Sequence, residues 1–351
     1  MLAQIRHILP LTTIHRERIL PVPGRLIVRK GQRVAATDTI AEARLNPEHL
    51  LLEVTRGLRL NTEKADKAIQ CRANDKVAEG DILAGPVGLT KRTIRSPRNG
   101  RVVLTGGGQI LLEVENPPYE LRAAYPGTVT ELLDERGAII EATGALIQGA
   151  WGNGRIDMGL MMVLANSPDA VLQAGQLDVS LRGSIALAGH CQSAEVLKTA
   201  GDLPLRGLIL SSMDVSILPV AQRMRYPIIL IEGFGNIPMN TVGYKLLSTN
   251  ERREAAVNAE QWNPLTGVRP EIFIPLPAPD TLPLPPETDE VSAGQQVHIL
   301  RAPYAGKIGK ILELLPGTHA LPSGIPAQVA LVEVESGDTV VIPIANLEVL
   351  E

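Results

Sequence analysis

The chain has 351 residues, 44% of them hydrophobic and 3% aromatic, so two to four domains with cores of Leu, Ile, Val and Ala are expected. So few aromatic rings argue against a sugar-binding or base-stacking surface, both of which use exposed aromatic faces. The net charge of −4 conceals a split: residues 1–110 carry 19 Lys and Arg against 10 Asp and Glu, and the remainder carry 15 against 28, which points either to an anionic partner for the first part or to docking between the parts.

The opening MLAQIRHILPLTTIHRERIL has no basic stretch followed by an uninterrupted apolar one, so no signal peptide is expected. No apolar run approaches the roughly 18 residues of a membrane span. Cys71 and Cys191 lack metal-like spacing and read as reduced, structural thiols of a cytoplasmic protein.

Residues 21–115 read as short strands with frequent turns. GRLIVRKGQRVAATDTIAEA (Gly24–Ala43) and CRANDKVAEGDILAG (Cys71–Gly85) share a β-branched strand, a polar turn, a valine and a second turn. IRSPRNGRVVLTGGGQILLEV (Ile94–Val114) then enters a hairpin at Ser96-Pro97 and Gly100. These segments resemble the V-x-x-G-D-x-[IL]-A and S-P-x-x-G-x-V signatures of barrel-sandwich hybrid domains, the biotinyl/lipoyl-like fold. The resemblance implies paired hammerhead strands in a rigid module. Asp66-Lys67-Ala68 matches the lipoyl tripeptide, but Gly80-Asp81 follows too soon and no Met-Lys-Met occurs. Lys67 therefore reads as a surface lysine, and no cofactor is expected.

Tyr125–Gly159 is a further glycine-rich unit, with strands at Thr128–Leu133 and Ala138–Glu141 across a turn at Glu135-Arg136-Gly137. Its string Gly149-Ala-Trp151-Gly152-Asn-Gly154 lacks a P-loop lysine and reads as a tight loop under Trp151. From Ser184 the pattern changes: SIALAGH, SAEVLKTAGDL, RGLILSSM, DVSILPVAQRM and YPIILIEGFG alternate apolar strands with helical spacing. That alternation predicts a parallel α/β sheet. Residues 240–260 read as helical, EIFIPL (Glu271–Leu276) as a return to the sheet, and the proline- and acid-rich stretch 275–296 as an extended linker.

The last segment has a strand, a Pro303-Tyr304-Ala305-Gly306 turn and Lys307-Ile308-Gly309, then a hairpin of Gln328–Glu335 and Thr339–Pro343, and a closing run Asn346–Leu350. This resembles the KOW signature and implies a small SH3-like β-barrel over residues 297–351. The expected fold is thus multidomain and mainly β with a central α/β domain: a barrel-sandwich hybrid-like part (1–120), a glycine-rich β extension (121–179), the α/β domain (180–276), a linker (277–296) and the SH3-like (KOW) barrel (297–351).

Two surfaces are candidate sites. Ligands of open parallel sheets bind outside the carboxyl ends of the strands, where this sequence supplies His190, Cys191 and Ser193, then Ser211, Ser212 and Asp214, then Glu232, Gly233 and Gly235. Helix N-termini and glycine-flanked amides there suit an anionic small molecule; Ser193 and Asp214 are equally suited to capping helices. KRTIRSPRNGR places Lys91, Arg92, Arg95, Arg98 and Arg101 on one strand and turn, for contact with a nucleic-acid backbone or with the chain's own acidic part. No metal-ligand spacing, phosphate loop or catalytic pair stands out. The expected function is a non-catalytic binding or scaffold protein whose β modules mediate protein assembly, in a nucleic-acid- or transcription-associated setting, with protein partners and room for homo-oligomers. The alternative is an enzyme or sensor binding a small anionic ligand in the α/β cleft.

Overall fold

The computed structural model describes residues 2–88, 90–263, 266–278, 282, 284–286 and 288–350. The chain is mainly β, with 45% of residues in strands and 14% in helices, arranged in multiple sheets. Two compact units emerge, one of residues 1–19, 28–40 and 122–351 and a smaller one of residues 20–27 and 41–121. Among the described residues no helix is long and apolar enough to cross a membrane.

In the smaller unit, four strands form an antiparallel sheet in the order His49–Glu53, Gln109–Val114, Gly100–Gly106 and Lys76–Val77. Alternation decides its faces: Ile110, Leu112 and Val114 are buried while Gln109, Leu111 and Glu113 are not. Two short helices, Val54–Leu58 and Thr62–Ala68, add Val54, Leu58 and Ala65 to the core. Asn61 caps the second by accepting from Lys64 N at 3.1 Å. That helix carries Asp66-Lys67-Ala68, so Lys67 is not presented on a hairpin tip; Asp66 instead accepts from Gly108 N at 2.6 Å. The Gly-Asp turn closes on itself, since Asp81 Oδ2 accepts from Ala78 N at 2.8 Å while Gly80 takes φ +89°.

The larger unit is built on an 11-stranded sheet. Ile156–Val163, Ser184–Ala188, Gly207–Met213 and Ile228–Phe234 pair in parallel. Ser184–Ala188 and Gly207–Met213 are buried along their whole length, the reason their sequences are continuous apolar runs. Helix Ala194–Asp202 connects the second of these strands to the third. The next connection, expected as a full helix, is a 3₁₀ turn Val215–Ile217 and a single α turn Leu218–Ala221 that carries Pro219 in its first turn.

Beyond Ile156–Val163 the sheet turns antiparallel through Glu254–Asn258, Glu271–Pro275 and Gly137–Gln148. Here the helical expectation for 240–260 is corrected. Helix Thr241–Thr249 ends, and Glu254–Asn258 is a strand between two others. Its Ala255-Ala256-Val257 are fully or nearly fully buried, so tertiary placement overrides alanine's helix preference. Ile8–Ile19 lies against Gly137–Gln148 in a long antiparallel ladder. The glycine string after it allows close approach: a Cβ at Gly152 would run into the Ala259 carbonyl, and Trp151 stacks edge-on against Phe234 with ring centroids 5.7 Å apart.

A seven-stranded sheet completes this unit, in the order Thr288–Glu290, Leu2–Arg6, Leu347–Leu350, Gln296–Ile299, Ile308–Leu314, Val329–Val334 and Thr339–Pro343. The expected hairpin across Ser336-Gly337-Asp338 is present. Thr288–Glu290 is a strand within the stretch expected as linker, paired antiparallel with Leu2–Gln4; residues 279–281, 283 and 287 of that stretch lie outside the described residues. Leu2–Arg6 also pairs in parallel with Leu347–Leu350, so the chain's two ends meet in one sheet.

Candidate functional site

The carboxyl ends of the parallel strands bring most of the expected residues together. His190, 2% exposed, sets Nδ1 2.9 Å from Ser212 Oγ and Nε2 3.4 Å from Asp214 Oδ1. Serine, histidine and aspartate thus adjoin, and hydrogen-bond direction decides what they can do. Ser212 Oγ donates to Ile237 O at 2.7 Å and accepts from Ile237 N at 3.1 Å. A hydroxyl has one hydrogen, so toward His190 the oxygen accepts and Nδ1 must donate. A general base would have to take that hydroxyl's proton; this pair points the other way. Ser212 is also fully buried.

The neighbouring groups are similarly committed. Burial pushes the Cys191 thiol up to about 11, with the Asp214 charge adding to the rise against a lowering contact to Ser193, so it holds its proton and is a poor nucleophile. Ser193 caps helix Ala194–Asp202, accepting from Glu195 N at 3.2 Å. Ser211 Oγ is buried without a hydrogen-bond partner among the described residues. Gly233 and Gly235 take φ of +96° and +111°, and Gly235 N donates across to Met213 O of the neighbouring strand at 3.0 Å.

Glu232 is occupied from three directions. Its Oε1 accepts from Asn240 N at 2.9 Å and Asn240 Nδ2 at 2.7 Å. Its Oε2 lies 2.8 Å from His298 Nε2 and 3.5 Å from Arg6 Nη1. Arg6, 1% exposed, also donates to Gln148 O at 3.0 Å and to Ile231 O. Glu348 joins the same cluster, 3.8 Å from Arg6 Nη1, 3.8 Å from His298 Nδ1 and 2.5 Å from Arg269 Nη2. Burial alone would raise both carboxyls. The Arg6 charge and the His298 contact, with Asn240 for Glu232 and Arg269 for Glu348, outweigh it and hold each at about 2. For His298, burial lowers the imidazole, but Glu232 and Glu348 overcome it and raise it above its ordinary range.

A second cluster follows along the N-terminal strand. Arg16 binds Glu271 through two bonds of 3.0 and 2.7 Å. Tyr125 OH and Gln148 Nε2 donate to the same carboxylate. Asn258 Nδ2 links Tyr125 OH at 3.0 Å to Glu260 at 3.2 Å, and Glu260 receives Arg18 at 2.7 Å. The basic residues at the start of the chain therefore pair with acids from the chain's later part. Sequence order hid every one of these residues; the charge split was their one visible trace.

Two buried histidines, His298 of the first cluster and His7 near Arg16 of the second, respond to pH in opposite senses, while the depressed carboxyls of both clusters lose their contribution as pH falls. His298 is raised above 6.5, so its contribution is complete below 6.5 and fades as pH rises through the raised value. His7 is lowered to about 4, first by burial and then by the Arg16 charge, so its contribution is complete above 6.5 and is lost as pH falls toward 4. The His7 effect is on the order of 3 kcal/mol. Thermal melts of His7→Gln between pH 7 and 4 should lose much of the wild-type decline, whereas His298→Gln should flatten the alkaline side; identical profiles for both variants would contradict the assignment.

The basic strand of the smaller unit is partly self-neutralised. Arg98 pairs with Glu48 at 2.9 Å and Arg101 with Glu113 at 3.2 Å, while Arg95 donates to Gly80 O at 2.7 Å. Lys91 is exposed at a turn with φ +46°, and Arg92 is half-buried. Within residues 1–110 the excess is shared, 13 basic against 8 acidic residues in the smaller unit and 6 against 2 in the segments of the larger unit, and Glu113, Glu115 and Glu120 bring the whole smaller unit to 13 against 11. No protein-family model matches the chain, and no curated protein matches it in sequence.

Proposed function

We propose that this chain is a non-catalytic binding and scaffold protein whose β modules mediate protein assembly. One observation carries the reading. The strand-end crevice where an open α/β sheet would take a ligand is filled by the chain's own groups. Glu232 is held by Arg6 and His298, Ser212 by Ile237, and Gly306, at φ +83°, lies where a Cβ would run into Ile237. Thr241 Oγ1 adds a 2.8 Å bond to Glu335.

In this reading residues 297–351 are a KOW-type SH3-like barrel used for protein contact. From Val291 onward they carry 3 Lys and Arg against 6 Asp and Glu, the wrong balance for a phosphate backbone. The barrel-sandwich hybrid-like stretch serves as a rigid module without a prosthetic group, consistent with Lys67 on a helix. The alternative small-ligand reading keeps one asset, the exposed Asp214 carboxylate beside His190.

Affinity purification of the full chain from its native cells, read by quantitative mass spectrometry, is expected to recover a protein partner in near-equal amount. A parallel thermal-shift panel of nucleotides, inorganic phosphate and carboxylate metabolites should stay flat. A ligand-induced rise in Tm that Asp214→Asn removes would replace this proposal with the sensor or enzyme reading.

A further inference from the structure

The four-stranded sheet of the smaller unit ends in the strand His49–Glu53. His49–Glu53 pairs with Gln109–Val114 on one side, and on its other side no strand is paired with it among the described residues. Edge strands are normally blunted by short length, charge, proline or a bulge; here Pro47 and Glu48 precede the strand and Glu53 ends it, while its middle is the apolar run Leu50-Leu51-Leu52. Its outward face continues an apolar row across the sheet. Leu51 is registered with Leu111, and Leu111 with Leu104. The register shifts between Val102 and Leu104, so a bulge turns Val103 outward as well. Leu51 and Leu104 are 54% and 64% exposed.

The phase of the backbone limits which partner fits. Val114 N donates to Glu48 O, and Val54 N to Gly108 O, so in this antiparallel ladder residues 48, 50, 52 and 54 turn their polar groups inward. Those of His49, Leu51 and Glu53 face the open edge. An added antiparallel strand must present three residues in the same phase, with an acceptor opposite the His49 ring N–H and a donor opposite the Glu53 carboxylate. The strand itself does so. A twofold axis through Leu51 sets Leu51 against Leu51 of the second copy and His49 against Glu53 of the second copy at both ends. Leu50 and Leu52, half-buried at the rim of the core, then cover each other on the inner face.

We infer that the chain forms a homodimer by antiparallel pairing of His49–Glu53 with the same strand of a second copy, joining two four-stranded sheets into one. Such an isologous contact closes at two copies. The inference is independent of the proposed scaffold function.

Sedimentation equilibrium of the full chain up to about 100 µM is expected to show a dimer. Leu51→Pro removes an N–H that faces the open edge and costs no bond within the chain. It should weaken the dimer by about tenfold or more with little change in Tm. Glu53→Lys should weaken it too, and His49→Glu combined with Glu53→Lys should restore it; this charge exchange decides the matter if the proline variant misfolds. A wild-type monomer over the whole range, or a dimer indifferent to Leu51→Pro and to the charge exchange, would overturn the inference.

Discussion

Arg6→Met is expected to destabilise the larger unit by about 3–5 kcal/mol, the range seen when one member of a buried ion pair is removed. Arg6 is among the largest fully buried side chains and satisfies two backbone carbonyls, those of Gln148 and Ile231, besides facing Glu232 and Glu348. Methionine fills much of the volume but leaves Glu232 with His298 as its remaining cationic neighbour, and two carbonyls without their donor. The carboxyls, held at about 2 in large part by Arg6, should then titrate at higher pH. Urea unfolding at pH 7 measures the loss, and repeating it at pH 5 should show the deficit shrinking as protonation relieves the uncompensated charge. Arg6→Lys should recover little, because a single ammonium cannot serve diverging carbonyls and carboxylates as a guanidinium fork does. A loss below about 1 kcal/mol would place the cluster in a solvated setting and remove the argument that the crevice is sealed.

How much of this could be read from the sequence depends on the range over which each feature is encoded. The three apolar runs beginning at Ser184, Gly207 and Tyr226 each specify a buried strand locally, and parallel pairing follows because they are buried on both faces. The closing hairpin was equally legible, since Ser336-Gly337-Asp338 marks a turn between two alternating strands. Glu254–Asn258 was not: two alanines between charged and polar residues carry a helical preference, and its strand state comes from neighbours about a hundred residues earlier and fifteen later. The strand-end residues His190, Ser212 and Asp214 adjoin in the structure, and the order of strands is what puts them at one end of the sheet. What they could not disclose is that Ile237 claims the Ser212 hydroxyl, or that Arg6 and His298 claim Glu232. Strand-end topology pointed to Glu232, but residues 6, 298 and 348 share no local pattern with it, and a charge census was the one sequence property sensitive to Arg6 and Glu348.

Glu271→Gln should be nearly as damaging, by about 3–5 kcal/mol, although it conserves size. Four donors converge on this fully buried carboxylate: Arg16 Nε and Nη2, Tyr125 OH and Gln148 Nε2. A carboxylate meets them because both oxygens only accept. Glutamine offers one accepting oxygen and turns two hydrogens toward groups that also donate, so unmade bonds add to the lost charge. Burial would raise this carboxyl, yet Arg16 and the hydrogen bonds hold it below its usual range; that depression is the linkage signature of the stability at stake, present above pH 4.5 and lost as pH falls. Tyr125→Phe removes one donor and leaves Asn258 Nδ2 bonded to Glu260 alone, at a cost of about 1–2 kcal/mol. The double variant Arg16→Met with Glu271→Leu removes both charges together and should cost less than Glu271→Gln alone. Urea unfolding of the four proteins tests this ordering. If Glu271→Gln proved milder than Tyr125→Phe, the convergence of donors on Glu271 would not be what ties the N-terminal strand to the rest of the larger unit.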